Sequence, residues 1–163
     1  MKSDYKVRAE RFIKMIAPYF TDCERVRDYY FAVHLFNVQH HRSVIVKHGI
    51  SRLVLITSDY VIKIDYDVDA GFGSCEDECE IYEEAKLAGF EYLFAPITRK
   101  EYSGKDYYIM PRIRNIGKYE EDASEYLNGE ESDWIDTRLY DLHYNNYGWK
   151  DGHIVLIDYA AHY

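Results

Sequence analysis

The chain has 163 residues, enough for one domain with a substantial apolar core, and 47% of them are hydrophobic, which excludes a polar disordered chain. No run reaches the ~20 apolar residues of a membrane-spanning helix, the N-terminus lacks a signal-peptide apolar region, and three cysteines cannot all pair, so the expectation is a reduced, cytoplasmic protein without membrane contact. The formal net charge of −9 is uneven: residues 1–50 carry nine Lys/Arg and five Asp/Glu, residues 51–163 carry eleven and twenty-four, which argues against direct nucleic-acid binding.

In chain order, residues 4–20 place Val7, Phe12, Ile16 and Tyr19 on one helical stripe that Pro18 ends or bends. Thr21-Asp22-Cys23-Glu24 has the form of a capping box opening a second helix through about Val38, with Val26, Tyr30, Val33 and Phe36 or Asn37 inward. Residues 1–40 thus read as a helical extension. Residues 43–47 and 52–57 form a first hairpin around His48-Gly49-Ile50-Ser51, and Val61-Ile62-Lys63-Ile64 is an alternating strand carrying one lysine.

Ser74 then caps an acidic helix that should stop at Gly89 and that holds Glu76, Glu78, Glu80, Glu83 and Glu84. Cys75 and Cys79 share an i, i+4 spacing and could ligate a metal with His40 and His41, although free cysteines on a packed helix are commoner. Residues 94–101 and 106–112 read as a second hairpin about Ser103-Gly104, and Met110-Pro111-Arg112 follows. Residues 120–136 hold eight carboxylates and no Lys or Arg, a solvated acidic face or a surface for a basic partner.

The densest signal lies near the end. Asp141-Leu142-His143-Tyr144-Asn145-Asn146 is followed twelve residues later by Asp158, and Gly148-Trp149 and residues 153–157 look like two short strands joined by Lys150-Asp151-Gly152. That turn should fold Asp158 back beside Asn146. A carboxylate to orient a hydroxyl, an amide oxygen five residues on and a second carboxylate for Mg²⁺ are what phosphoryl transfer requires at one γ-phosphate.

With Lys63 and the acidic helix upstream, residues 42–163 resemble the protein-kinase-like superfamily, which includes eukaryotic-type protein kinases and aminoglycoside-type small-molecule kinases. Where the family has His-Arg-Asp this chain has Leu139-Tyr140-Asp141, and where it has Asp-Phe-Gly this chain has Asp158-Tyr159-Ala160. The resemblance implies an α+β fold: a kinase-like N-lobe of antiparallel sheet plus one helix over about 41–114, a truncated catalytic and metal hairpin region over about 115–163, and two extra N-terminal helices.

It also implies roles. Lys63 would contact the nucleotide phosphates, with Glu80, the choice among the five glutamates, holding it. Gly49 and Ser51 would offer backbone amides to phosphate, Tyr108 and Met110 would lie near adenine, and His143 near the γ-phosphate. Asp141 would be base or hydroxyl orienter, and Asn146 and Asp158 would hold Mg²⁺, so the cofactors are ATP and Mg²⁺.

Because only five residues follow Asp158, no activation segment or large helical lobe is expected, and the N-terminal helices are expected to cover the underside of the catalytic hairpin, with the back of the sheet as the alternative. Two functional classes follow. One is a Mg²⁺-dependent phosphotransferase that modifies itself or a host protein. The other is a kinase-derived pseudoenzyme, of a kind a phage or other mobile element could encode, whose acidic segment 120–136 binds and regulates a protein partner.

Overall fold

The computed structural model describes residues 4–49, 51–65, 74–116, 123–140 and 142–159. The fold is α+β, with four α-helices and two antiparallel sheets among the described residues. No helix among them is long and apolar enough to cross a membrane. The chain divides into two compact units, residues 1–70 with 98–112, and residues 71–97 with 113–163.

The first unit holds helices α1 (Tyr5–Ile16) and α2 (Val26–His40) and strands β1 (Ile45–His48), β2 (Arg52–Ile56), β3 (Tyr60–Asp65), β4 (Thr98–Tyr102) and β5 (Lys105–Pro111). The strands form one sheet in the order β1-β2-β3-β5-β4. Asp4 starts α1 by accepting from the Lys6 amide, and Pro18 stands in a 3₁₀ turn, Ala17–Phe20, that redirects the chain. α2 begins later than the Thr21 box suggests, because Asp28 accepts from the Arg25 amide (2.9 Å) and satisfies the helix start there.

Both helices pack on one face of the sheet. Phe12, Ile13, Ile16, Val33 and Phe36 share a single core with Leu53, Leu55, Ile62, Ile64, Tyr107 and Ile109. The N-terminal helices therefore pack on the five-stranded sheet, the alternative given above, within the same compact unit as its strands. The buried stripe also shifts from the one expected: Ala9, Phe12, Ile13 and Ile16 face inward on α1 and Val7 is exposed, while α2 buries Tyr29 and exposes Tyr30. Phe36 is fully buried, as expected, and edge-on to Phe12 at 5.5 Å between centroids.

The second hairpin closes through Ser103 and Gly104, both at positive φ, in the two-residue form that matches strand twist.

The second unit holds α3 (Cys75–Ala88), α4 (Gly129–Asp136) and a small sheet, β6 (Arg114–Asn115), β7 (Tyr147–Lys150) and β8 (His153–Leu156), in that order. Ser74 and Asp77 form the capping box of α3, and Gly89 at φ 81° ends it. Asn128 and Glu131 cap α4 in the same way. The β7–β8 turn is Asp151-Gly152, with both residues left-handed. A side chain at position 148 would meet the Arg114 carbonyl oxygen and Ile113 at 2.7 Å, so glycine is required where β6 crosses β7. Phe94 links this unit's core, edge-on to both Trp134 and Tyr159.

Two outcomes test this core. Phe36→Ala should lower the unfolding free energy measured in denaturant by about 3–5 kcal/mol, whereas Leu87→Ala, at a side chain 91% exposed, should change it by less than about 0.5 kcal/mol. Burial pushes the Tyr107 hydroxyl up to about 12, so its stabilising contribution is complete below the ordinary tyrosine value near 10 and is lost as pH rises from there to about 12. The fall in melting temperature across that window should be shallower in Tyr107→Phe.

Candidate functional site

Side chains alternate along β3, and the helices take one half of them. Tyr60, Ile62 and Ile64 enter the helix-covered core, which leaves Val61, Lys63 and Asp65 on the opposite face. Register sets the neighbours there: Lys63 stands between Val54 of β2 and Tyr108 of β5, and Val61 stands between Ile56 and Met110. Lys63 is only 5% exposed, with Tyr108 and Met110 buried as well. Burying an ammonium costs several kcal/mol unless other groups compensate. A lysine held this way is an uncommon use of a strand position.

The first hairpin offers less than expected. The Gly49 amide donates to the Arg52 carbonyl at 2.8 Å and closes the β1–β2 turn, so it is not available to a phosphate while the turn is intact. Gly49 also has room for a side chain, the nearest atom to an added Cβ being 4.0 Å away. Ser51 follows in the same turn, half-buried, and Ile50 lies outside the described residues.

In the second unit the hairpin does what its sequence requires. The Ile157 amide donates to the Asn146 backbone carbonyl at 2.7 Å, and the Asn146 side-chain amide donates to the Asp158 carbonyl at 3.1 Å. The Asn146 side-chain oxygen accepts from the His143 amide at 2.8 Å, capping the 3₁₀ turn Tyr144–Asn146, and an amide oxygen keeps a second lone pair for another partner. Asn115 of β6 steadies the same turn from below, its side-chain amide donating to the carbonyls of Tyr144 and Asn145. His143 is exposed and its Nδ1 accepts from the Asn145 amide at 3.3 Å, so this ring serves the turn. Asp141 lies outside the described residues.

Helix α3 corrects one expectation. Glu80 points to solvent, whereas Glu78 is fully buried. The reason is helical phase: the buried positions are Cys75, Glu78, Ile81 and Ala85, and Glu80 lies about 200° around the helix from Glu78 at 100° per residue. Glu78 accepts from the Tyr159 amide at 3.0 Å, so it fixes the backbone immediately after Asp158. Tyr159 is itself buried, donates its hydroxyl to the Ala95 carbonyl at 2.7 Å, and has a hydroxyl pushed well above the ordinary tyrosine value by burial and then by the Glu78 charge. Lys63 and Glu78 are the only charged side chains in the buried class among the described residues. Sequence periodicity could have found Glu78, since it continues the apolar stripe of its helix.

Asn146 and Asp158 are neighbours across one hairpin through backbone and amide hydrogen bonds, and each also carries a side-chain oxygen. That suits a cation such as Mg²⁺, which takes one or two protein ligands and fills its other positions with water and phosphate. No group of three or more His, Cys, Asp or Glu side chains able to hold a metal occurs among the described residues, and neither Cys75 nor Cys79 is in a disulfide there. Compared with protein-family models, curated proteins and solved structures, the chain matches none.

Removing the buried carboxylate should be felt at Asp158's neighbour. Glu78→Ala leaves the Tyr159 amide without its acceptor, which typically costs about 1–3 kcal/mol, and its amide hydrogen should exchange faster. Glu80→Ala should alter neither stability nor that exchange rate; equal effects from the two substitutions would remove Glu78 from its assigned place.

Proposed function

We propose that this chain is a Mg²⁺-dependent, ATP-using phosphotransferase of the protein-kinase-like kind. The observation that carries the reading is the closed link from Asn146 to Asp158, in which backbone and side-chain hydrogen bonds join the two oxygen-donor residues across the β7–β8 hairpin. The buried Lys63, flanked by Tyr108, supports it. In this reading Lys63 binds nucleotide phosphate as a point charge, and Tyr108 and Met110 lie against the base. Asn146 and Asp158 hold the metal, which when bound would neutralise charge on the phosphates. Glu78 replaces Glu80 as the helix carboxylate and holds the Asp158 segment in place. Asp141 orients the acceptor hydroxyl and takes its proton. The acceptor is a hydroxyl of this protein or of a protein partner.

Two observations favour the second class, a binding module without catalysis. The Gly49 amide is already spent within its turn, and Glu125, Glu130, Asp133 and Asp136 of the acidic segment are exposed to solvent. Glu131 is the exception there, since it caps α4 and accepts from the Tyr92 hydroxyl at 2.6 Å.

Ligand that binds only the folded state raises its melting temperature. ATP with Mg²⁺ should therefore raise it in wild type and raise it less in Lys63→Ala and in Asp158→Asn. Asp141→Asn should keep that shift while lowering transfer of labelled phosphate by ~10²–10⁴-fold. If nucleotide produces no shift in wild type, the phosphotransferase reading fails. If the shift is normal but no label is transferred, and charge reversal at Glu130 and Asp133 abolishes partner capture, the binding-module reading replaces it.

A further inference from the structure

The first unit carries a concave site on the helix side of the sheet, built from residues that play no part in the reading above. A cleft of about 770 Å³ opens between α1, the segment after α2 and the β2–β3 turn. That volume lies within the range of small-molecule sites. Its charged lining is Arg8, Arg11, Arg42 and Asp59, a surplus of two positive charges in a chain whose net charge is −9. Phe12, Met15, Val44 and Tyr60 supply an apolar floor.

The charges are not equivalent. Asp59 is fully engaged, taking Arg8 through Nε at 2.8 Å and through a second guanidinium nitrogen, while its other oxygen accepts from the Ser58 hydroxyl at 3.1 Å. Arg8 is thereby held as a fixed wall of the cleft. Arg11, one turn further along α1, and Arg42 are exposed and make no ion pair among the described residues.

The backbone that presents Arg42 is pinned in place. Asn37 of α2 accepts from the Arg42 amide through its carbonyl at 3.0 Å, and its side chain brackets Val44, accepting from the amide at 3.1 Å and donating to the carbonyl at 2.9 Å. Such fixing lowers the cost of ordering the site when a ligand binds.

We infer that this cleft binds a phosphomonoester with an apolar or aromatic body. A phosphate dianion matches the surplus of two positive charges, guanidinium forks suit its oxygens, and the body of the ester would cover Met15 and the edge of Tyr60. The inference does not depend on the phosphotransferase reading. An aryl phosphate could come from a small metabolite or from a phosphorylated tyrosine side chain, and the two share this chemistry.

Calorimetric titration of the full chain with phenyl phosphate, with inorganic phosphate and with a short phosphotyrosine peptide tests it. Wild type should bind phenyl phosphate more tightly than inorganic phosphate. Arg11→Ala and Arg42→Ala should each weaken binding by about tenfold or more, as loss of a charge-assisted contact does. Met15→Ser should shrink the preference for the phenyl ester without changing inorganic phosphate. Lys14→Ala, on α1 but outside the cleft, and Lys63→Ala should leave phenyl phosphate binding unchanged, the second separating this site from the proposed nucleotide site. The peptide binding as well as phenyl phosphate would identify a protein source, and its failure where phenyl phosphate succeeds a small-molecule one. No binding of phenyl phosphate at millimolar concentration, or an equal loss from Lys14→Ala, would overturn the assignment.

Discussion

The two-residue period of β3 is the constraint on which the first unit turns. Once Tyr60, Ile62 and Ile64 are committed to the core under α1 and α2, pleating leaves no choice about the remaining side chains. Lys63 must face the other way, and the pairing of β3 with β5 brings Tyr108 beside it and sets Met110 beside Val61. The helices do not touch this face, yet they specify it, because a slip of one residue would drive a lysine into an aromatic core. The cost of such a slip is far larger than that of any single packing defect.

Asn146 plays the corresponding part in the second unit. One amide side chain caps a 3₁₀ turn through its oxygen and ties Asp158 through its nitrogen, while its backbone carbonyl receives Ile157. Glu78 grips the next residue along from the helix side. Asp158 therefore lies between two anchored neighbours, which fixes its backbone.

The elements were largely legible in the sequence because each carries its own punctuation. Ser74 with Asp77, Gly89, Ser103-Gly104 and Asp151-Gly152 mark ends and turns that the structure uses as written. The position of Asp158 beside Asn146 follows from one short hairpin and was legible for the same reason. The docking of α1 and α2 was not, since an amphipathic stripe states that a face is buried but not against what. Local competition misled elsewhere: Thr21 looked like a helix cap, but Asp28 satisfies the later start at Arg25. Glu80 was preferred over Glu78 because an acidic helix hides which carboxylate lies in the apolar phase. The Arg8, Arg11 and Arg42 cleft had no sequence signature, because its walls come from three segments that only the fold assembles.

The five-stranded sheet has two unlike edges. β4 ends it with Arg99, Lys100 and Glu101 directed largely to solvent, and Lys100 is further tied to Glu10 of α1 at 3.1 Å. Charge along an edge makes pairing with another strand costly. β1, at the other edge, instead shows Ile45 half exposed and is only four residues long. Edge-to-edge growth of the sheet between molecules therefore meets a weaker boundary at β1, guarded by its brevity and the exposed Lys47. Self-association through this edge would involve the few residues of β1, which only β2 separates from the strand that carries Lys63.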